Sequence, residues 1–222
     1  MNVIRKFSLL FLLINLWHFA NAQTKQPFWD EIQNFKKQDS LHFPPKNAIL
    51  FYGSSSFRKW TDIQDYFPKY KIINRGFGGS TFPDAMLYTN NIVLPYHPKQ
   101  IFLYFGDNDL AFSDTVSAKT VFNRFQQLFN ILRSKLPLTS IVFVSIKPSP
   151  SRKQLMPKMS AANDMIKKFL AKKTNTGFAD VYHKMLNADG TPIDSIFLED
   201  KLHMTAKGYK IWQKEIQPFL LK

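Results

Sequence analysis

Three residues in this chain have the makings of a nucleophilic acyl-transfer site: a serine just past a glycine, and an aspartate three positions before a histidine. The serine is Ser55 in Gly53-Ser54-Ser55-Ser56, directly after the apolar run Ala48-Ile49-Leu50-Phe51-Tyr52. The acid and base are Asp200 and His203 in Asp200-Lys201-Leu202-His203. A serine hydroxyl is a weak nucleophile until an imidazole takes its proton. The imidazole in turn needs a carboxylate to orient it and stabilise its cation. A serine-rich helix start also caps orphan amides, so the triplet alone leaves structure and catalysis evenly matched.

Two further segments lie between these ends. Asn74-Arg75-Gly76-Phe77-Gly78-Gly79 follows a second apolar run, and Gly106-Asp107-Asn108-Asp109 follows a third. Read singly, the first is a glycine-rich turn whose backbone can approach a ligand, and the second an Asn-Asp turn. A phosphate loop is not indicated, because no Gly-Lys-Ser/Thr follows the glycines. In this order and spacing, the four blocks resemble the SGNH (GDSL-like) hydrolase superfamily over nearly all of residues 47–222. The resemblance implies Ser55 as nucleophile, His203 as base and Asp200 as its partner. It also implies an oxyanion hole made of the Ser55 and Gly79 backbone N–H groups and the Asn108 side chain. Ser54 stands where the family's name-giving Asp usually does, which removes a local carboxylate but no member of the triad. The α/β-hydrolase elbow, Gly-x-Ser-x-Gly, is absent, since Phe57 occupies its last position.

Asp180-Val181-Tyr182-His183 repeats the Asp-x-x-His spacing. Context separates the two pairs. His203 runs into Thr205 and an amphipathic terminal helix that looks like the family's last block, whereas Asp180 ends an apolar strand. His42 and His97 lack any such setting and read as surface or turn residues. No cluster has metal-ligand spacing, and the chemistry implied needs no cofactor.

Such residues have to be held by a scaffold. The apolar runs at 48–52, 71–74, 100–105, 141–146 and 176–181 read as five strands, continuous enough to be buried on both faces of a parallel sheet. Between them, Val121, Phe125, Leu128, Phe129 and Leu132 recur at helical spacing behind Ser117 as N-cap. Met159, Ile166, Phe169 and Leu170 mark another helix. Tyr209, Trp212, Ile216 and Phe219 mark a third, with Thr205 as its cap. A short helix over 27–38 carries Phe28, Ile32 and Phe35 on one face, and Pro44-Pro45 ends it. Residues 147–157 read as a loop past a strand end, suited to walling a cleft. The alternation predicts an α/β fold: a doubly wound, mostly parallel five-stranded sheet flanked by helices, flavodoxin-like in the manner of SGNH hydrolases. Ligands in such sheets bind beyond the strands' carboxyl ends, where every candidate residue falls.

At 222 residues the chain suits one domain with a real core. Arg5 and Lys6 precede an apolar run from Phe7 to Leu16, and Ala20-Asn21-Ala22 fits a small-x-small cleavage site. Residues 1–22 therefore read as a secretory signal peptide and 23–222 as a single hydrolase domain, exported to the periplasm or the medium without stable membrane insertion. The chain has no cysteine, which excludes disulfides, thiolate metal sites, cysteine nucleophiles and a lipidated N-terminal cysteine. A formal charge of +14 would suit anionic partners, but the Lys and Arg are scattered and form no nucleic-acid motif. The charge reads as a bias in encounter, with no specific nucleic acid implied.

These features predict a secreted serine esterase acting on small-molecule or glycan esters, short acyl groups such as acetyl foremost. Lysophospholipids or a broad ester range are the alternatives within the same chemistry. From another class comes a catalytically inactive glycan- or lipid-binding module, against which the full set of functional positions argues. Arg58, Trp60, Phe57 and Phe82 lie near the motif blocks and stand as candidates for the pocket wall, the core or the rim.

Overall fold

The computed structural model describes residues 26–222. The signal-peptide reading of residues 1–22 lies outside the described residues. Five strands form one sheet in the order β2-β1-β3-β4-β5, every neighbouring pair parallel. They are β1 (Ile49–Gly53), β2 (Ile72–Gly76), β3 (Gln100–Tyr104), β4 (Ser140–Val144) and β5 (Thr176–Ala179). The sheet expected to be mostly parallel is wholly so. The strand runs legible in sequence are right to within about two residues at each end, the usual scatter of element boundaries.

Alternation along each strand divides the core into two layers. Leu50 and Tyr52 of β1, with Ile101 and Leu103 of β3 and Phe143 of β4, face one layer. There they pack against α1 (Trp29–Leu41), α3 (Phe82–Ile92), α5 (Ala118–Lys135) and α6 (Met156–Leu170). Ile49, Phe51, Phe102, Tyr104, Val142 and Val144 face the other. That layer is closed by α2 (Ser55–Arg58) and α8 (Ala206–Ile216), whose Trp212 is wholly buried against Phe57 and Tyr104. Because both faces are covered, the central strands β1, β3 and β4 are apolar along nearly their whole length, which is why they read as unbroken runs.

The helices depart from expectation in instructive ways. The first begins at Trp29, with Phe28 in a left-handed conformation before it, and runs to Leu41; of its proposed face, Ile32 is fully buried. Ser117 caps α5 as expected, accepting the Thr120 N–H at 3.0 Å. Thr205 occupies the N-cap position of α8, but its hydroxyl makes no capping bond and is buried without a partner. The segment 147–157 is not simply a loop: a 3₁₀ helix fills Pro150–Leu155 and α6 starts at Met156. Helix α3 went unassigned from sequence, although Thr81-x-x-Asp84 is a capping-box signal for it. Asp84 accepts from both the backbone N–H and the hydroxyl of Thr81, at 2.9 and 2.6 Å. At Asp107–Phe112 the chain forms a helix, α4, rather than the isolated Asn-Asp turn that the block read singly would allow.

Candidate active site

Ser55 is the first residue of α2, one step past the end of β1 and Ser54. The tight turn depends on Gly53 for close approach. A Cβ there would sit 2.6 Å from the Phe57 ring and 2.8 Å from the Tyr104 carbonyl oxygen. The turn is braced from β2 by Asn74, whose amide donates to the Phe57 and Trp60 carbonyls at 2.8 and 3.2 Å and accepts the Gly76 N–H at 2.9 Å. Tyr209 of α8 adds a bond from its hydroxyl to the Ser56 carbonyl at 2.9 Å. In sequence the block shows only its glycines, because the partners that make Asn74 a brace lie on a separate segment.

The loop before α8 carries the acid and base to the same place. His203 Nε2 lies 2.9 Å from Ser55 Oγ, across 148 residues of chain. On the other side of the ring, His203 Nδ1 lies 2.6 Å from Asp200 Oδ2. A carboxylate only accepts, so Nδ1 carries the proton and Nε2 is left to accept from the serine hydroxyl. Asp200 Oδ1 is fixed by the backbone N–H groups of Leu202 and His203, at 2.9 and 2.8 Å. Partial burial pushes its pKa up, but the hydrogen bonds from His203 and Leu202 outweigh this and hold the carboxyl well below the usual carboxylate range.

Asn108 and Gly79 approach each other past the ends of β3 and β2, the strands on either side of β1. Asn108 Nδ2 is 3.9 Å from where a Gly79 side chain would begin, and apart from Gly79's chain neighbours no other described residue stands within 4 Å of that point. Nδ2 also donates to the Ser80 carbonyl at 3.1 Å. The Ser55 N–H opens a helix and so has no intrahelical acceptor. The structure thus brings Ser55, His203 and Asp200 into one hydrogen-bonded chain and sets Asn108 against Gly79.

The flanking aspartates serve other ends. Asp109 is wholly buried, accepts the Phe82 N–H at the start of α3 and pairs with Arg124 at 2.9 Å. Burial raises its pKa to about 6, against the lowering effect of Arg124 and the Phe82 N–H. Asp107 lies 3.1 Å from Arg152 and 3.7 Å from Lys147, the latter only 1% exposed. Burial brings the Lys147 ammonium from 10.5 down to about 8, although Asp107 opposes the shift. Neither basic residue was singled out in sequence, since an isolated Lys or Arg in a loop carries no motif.

Of the candidate wall residues, Phe57, Trp60 and Phe82 are wholly buried core. Arg58 is half-exposed and paired with Glu31 of α1 at 3.1 Å. A groove of about 470 Å³ does open at Gly79, between Phe28, Pro83, Phe112 and Arg124. The second Asp-x-x-His pair is real but isolated. His183 Nδ1 contacts Asp180 at 2.8 Å on α7 (Val181–Lys184), and its ring is 66% exposed.

A parallel α/β sheet with a serine, a histidine and an aspartate linked at its strand ends defines a candidate serine hydrolase of the doubly wound class. The sequence profile of the GDSL-like Lipase/Acylhydrolase family matches residues 48–211, and the chain belongs to that family. It is an ester-hydrolysing enzyme. Among functionally curated proteins none matches the sequence. Solved structures share the fold. A candidate acylhydrolase from Bacteroides fragilis is 21% identical with a TM-score of 0.73, covering 86% of this chain and 95% of its own. A GDSL-like lipase from Bacteroides thetaiotaomicron is 17% identical with a TM-score of 0.68, covering 84% and 95%. A variant of an acetyl-xylooligosaccharide esterase from Geobacillus is 14% identical with a TM-score of 0.61, covering 80% and 96%. Among the described residues, no helix is long and apolar enough to cross a membrane.

Proposed function

We propose that the enzyme is an exported serine esterase that removes short acyl groups, acetyl foremost, from glycans. The observation that carries the mechanism is the run of contacts Ser55 Oγ–His203 Nε2–His203 Nδ1–Asp200, at 2.9 and 2.6 Å. His203 Nε2 takes the Ser55 hydroxyl proton as Oγ attacks the ester carbonyl carbon. The carbonyl oxygen becomes an oxyanion facing the N–H groups of Ser55 and Gly79 and the Asn108 amide. As the intermediate collapses, the carbon–oxygen bond to the alcohol breaks and His203 gives its proton to the departing oxygen. Water repeats the attack on the acyl-serine, again through His203, and releases the carboxylic acid and free Ser55. Asp200 keeps the imidazole in its working tautomer and stabilises its cation.

The glycan reading is supported by the exposed Phe112 ring beside Gly79, a flat apolar face of the kind sugars pack against, and by the likeness to an acetyl-xylooligosaccharide esterase. Export rests on the N-terminal charge, apolar run and Ala20-Asn21-Ala22. The test is an ester panel of acetylated sugars, lysophospholipid and aryl esters of increasing chain length, run on wild type and Ser55→Ala. Fastest Ser55-dependent turnover on acetylated sugars is expected. Faster turnover of long-chain or lysophospholipid esters would contradict the substrate class, and full turnover by Ser55→Ala would contradict the mechanism.

A further inference from the structure

The Asn108 amide is gripped from outside its own motif. Arg152 Nη2 donates to Asn108 Oδ1 at 3.0 Å, from a segment 44 residues further along the chain. We propose that Arg152 is a positioning residue for the oxyanion hole, fixing the Asn108 amide with its nitrogen toward Gly79 and strengthening that nitrogen as a donor. This rests on the roles assigned above to Ser55, Gly79 and Asn108.

The chemistry of the two side chains dictates the orientation. A guanidinium has five donors and no acceptor, so the amide atom facing it must be the oxygen. The nitrogen is then turned the other way, where one of its hydrogens goes to the Ser80 carbonyl at 3.1 Å. Its second hydrogen is left for an oxyanion beside Gly79. A flipped amide would oppose two donors at Arg152 and aim an oxygen at the developing negative charge. Charge-assisted donation to Oδ1 also draws electron density from the amide nitrogen, which makes its N–H a better donor.

Arg152 is itself held. Its Nη1 pairs in charge with Asp107 Oδ2 at 3.1 Å, though without hydrogen-bond alignment, and its side chain is only 17% exposed. The other oxygen of Asp107 accepts the Asn108 backbone N–H at 3.0 Å. One buried carboxylate therefore ties down both the arginine and the backbone of the asparagine it orients. Lys147 lies on the same carboxylate, 3.7 Å from Asp107 Oδ2, so two cations hold it in place.

The test is a double-mutant cycle read on an aryl acetate: wild type, Arg152→Gln, Arg152→Lys and Asn108→Ala, with each Arg152 variant also combined with Asn108→Ala. Arg152→Gln is expected to lower kcat roughly 10- to 100-fold, the scale of one charged hydrogen bond, with KM little changed. Arg152→Lys keeps a charge near Asp107 but cannot fork across two acceptors, so its kcat should fall in between. With Asn108→Ala already present, either change should cost less than about twofold. An equal loss in both backgrounds would overturn the proposal, as would an unchanged kcat or a loss confined to KM. If Arg152→Gln fails to fold, the Arg152→Lys arm of the cycle decides by the same criterion. Turnover that survives Ser55→Ala would instead strike the site reading itself.

Discussion

The molecule contains the same local device twice. In each copy an aspartate accepts the backbone N–H of a histidine three residues on and contacts its Nδ1, at 2.8 Å in Asp180–His183 and 2.6 Å in Asp200–His203. Each has a lysine in attendance. Lys167, 60% exposed, reaches Asp180 at 4.0 Å, while the charge of Asp200 raises the pKa of the buried Lys147 against the effect of burial. What differs is the far side of the ring. His203 is 15% exposed and meets Ser55; His183 is 66% exposed, and no serine stands at its Nε2 among the described residues. The spacing makes an oriented imidazole, but only the fold supplies something for it to deprotonate.

The largest effects should separate the two pairs. Ser55→Ala and His203→Ala are expected to lower kcat by about 10⁴-fold or more in a steady-state ester assay. His183→Ala should stay within about twofold, since an exposed pair contributes little. Asp200→Asn should cost roughly 10³–10⁴-fold, because it disturbs the tautomer at Nδ1 without removing the base. Asp180→Asn should leave kcat unchanged. A large loss in either member of the Asp180 pair, in protein that folds normally by circular dichroism, would collapse the distinction.

Why one pair could be favoured from sequence and the rest could not follows from the range of each signal. His203 runs into Thr205 and the Tyr209–Trp212 face of α8, a local context that can be read along the chain. The strands were legible for a similar reason, because burial on both faces of a parallel sheet leaves continuous apolar runs. Arg152, Lys147 and Asn74 were not legible. Their long-range partners lie 14 to 45 residues away, and no spacing rule reports a contact that the crossover connections create. Helix α3 differs: Thr81-Phe82-Pro83-Asp84 is a local capping signal, but Pro83 and the preceding Gly78-Gly79 read equally as a turn.

On the oxyanion side smaller losses are expected. Asn108→Ala should lower kcat by ~10²–10³ with little change in KM, the scale for losing one oxyanion donor. Asp109→Asn should do less, since Asp109 braces α3 and Arg124 rather than the reacting atoms. An unaffected kcat in folded Asn108→Ala would leave only backbone donors at the hole.

The smallest effect concerns the two lysines and is read in stability. In the folded protein Lys147 gives up its proton near pH 8 rather than at its ordinary 10.5. Below pH 8 the whole cost of burying its charge is present. Between about pH 8 and 10.5 unfolding takes up a proton, so the cost fades as pH rises. Lys147→Met should therefore raise stability at pH 7 by something on the order of 1–3 kcal/mol, with Arg152 still beside Asp107. The gain should shrink toward pH 10.5 in chemical denaturation. Lys167→Met, at the exposed pair, should do nothing measurable at any of these pH values. A Lys147→Met protein less stable than wild type at pH 7 would show that the Asp107 pairing outweighs the burial.

The most direct test of the account is fluorophosphonate labelling with the modified peptide mapped, on wild type, His203→Ala and His183→Ala side by side. A label is expected on Ser55 in wild type and in His183→Ala at equal rates, and nearly none in His203→Ala. Label on another serine, or labelling that fails in His183→Ala and survives in His203→Ala, would contradict it.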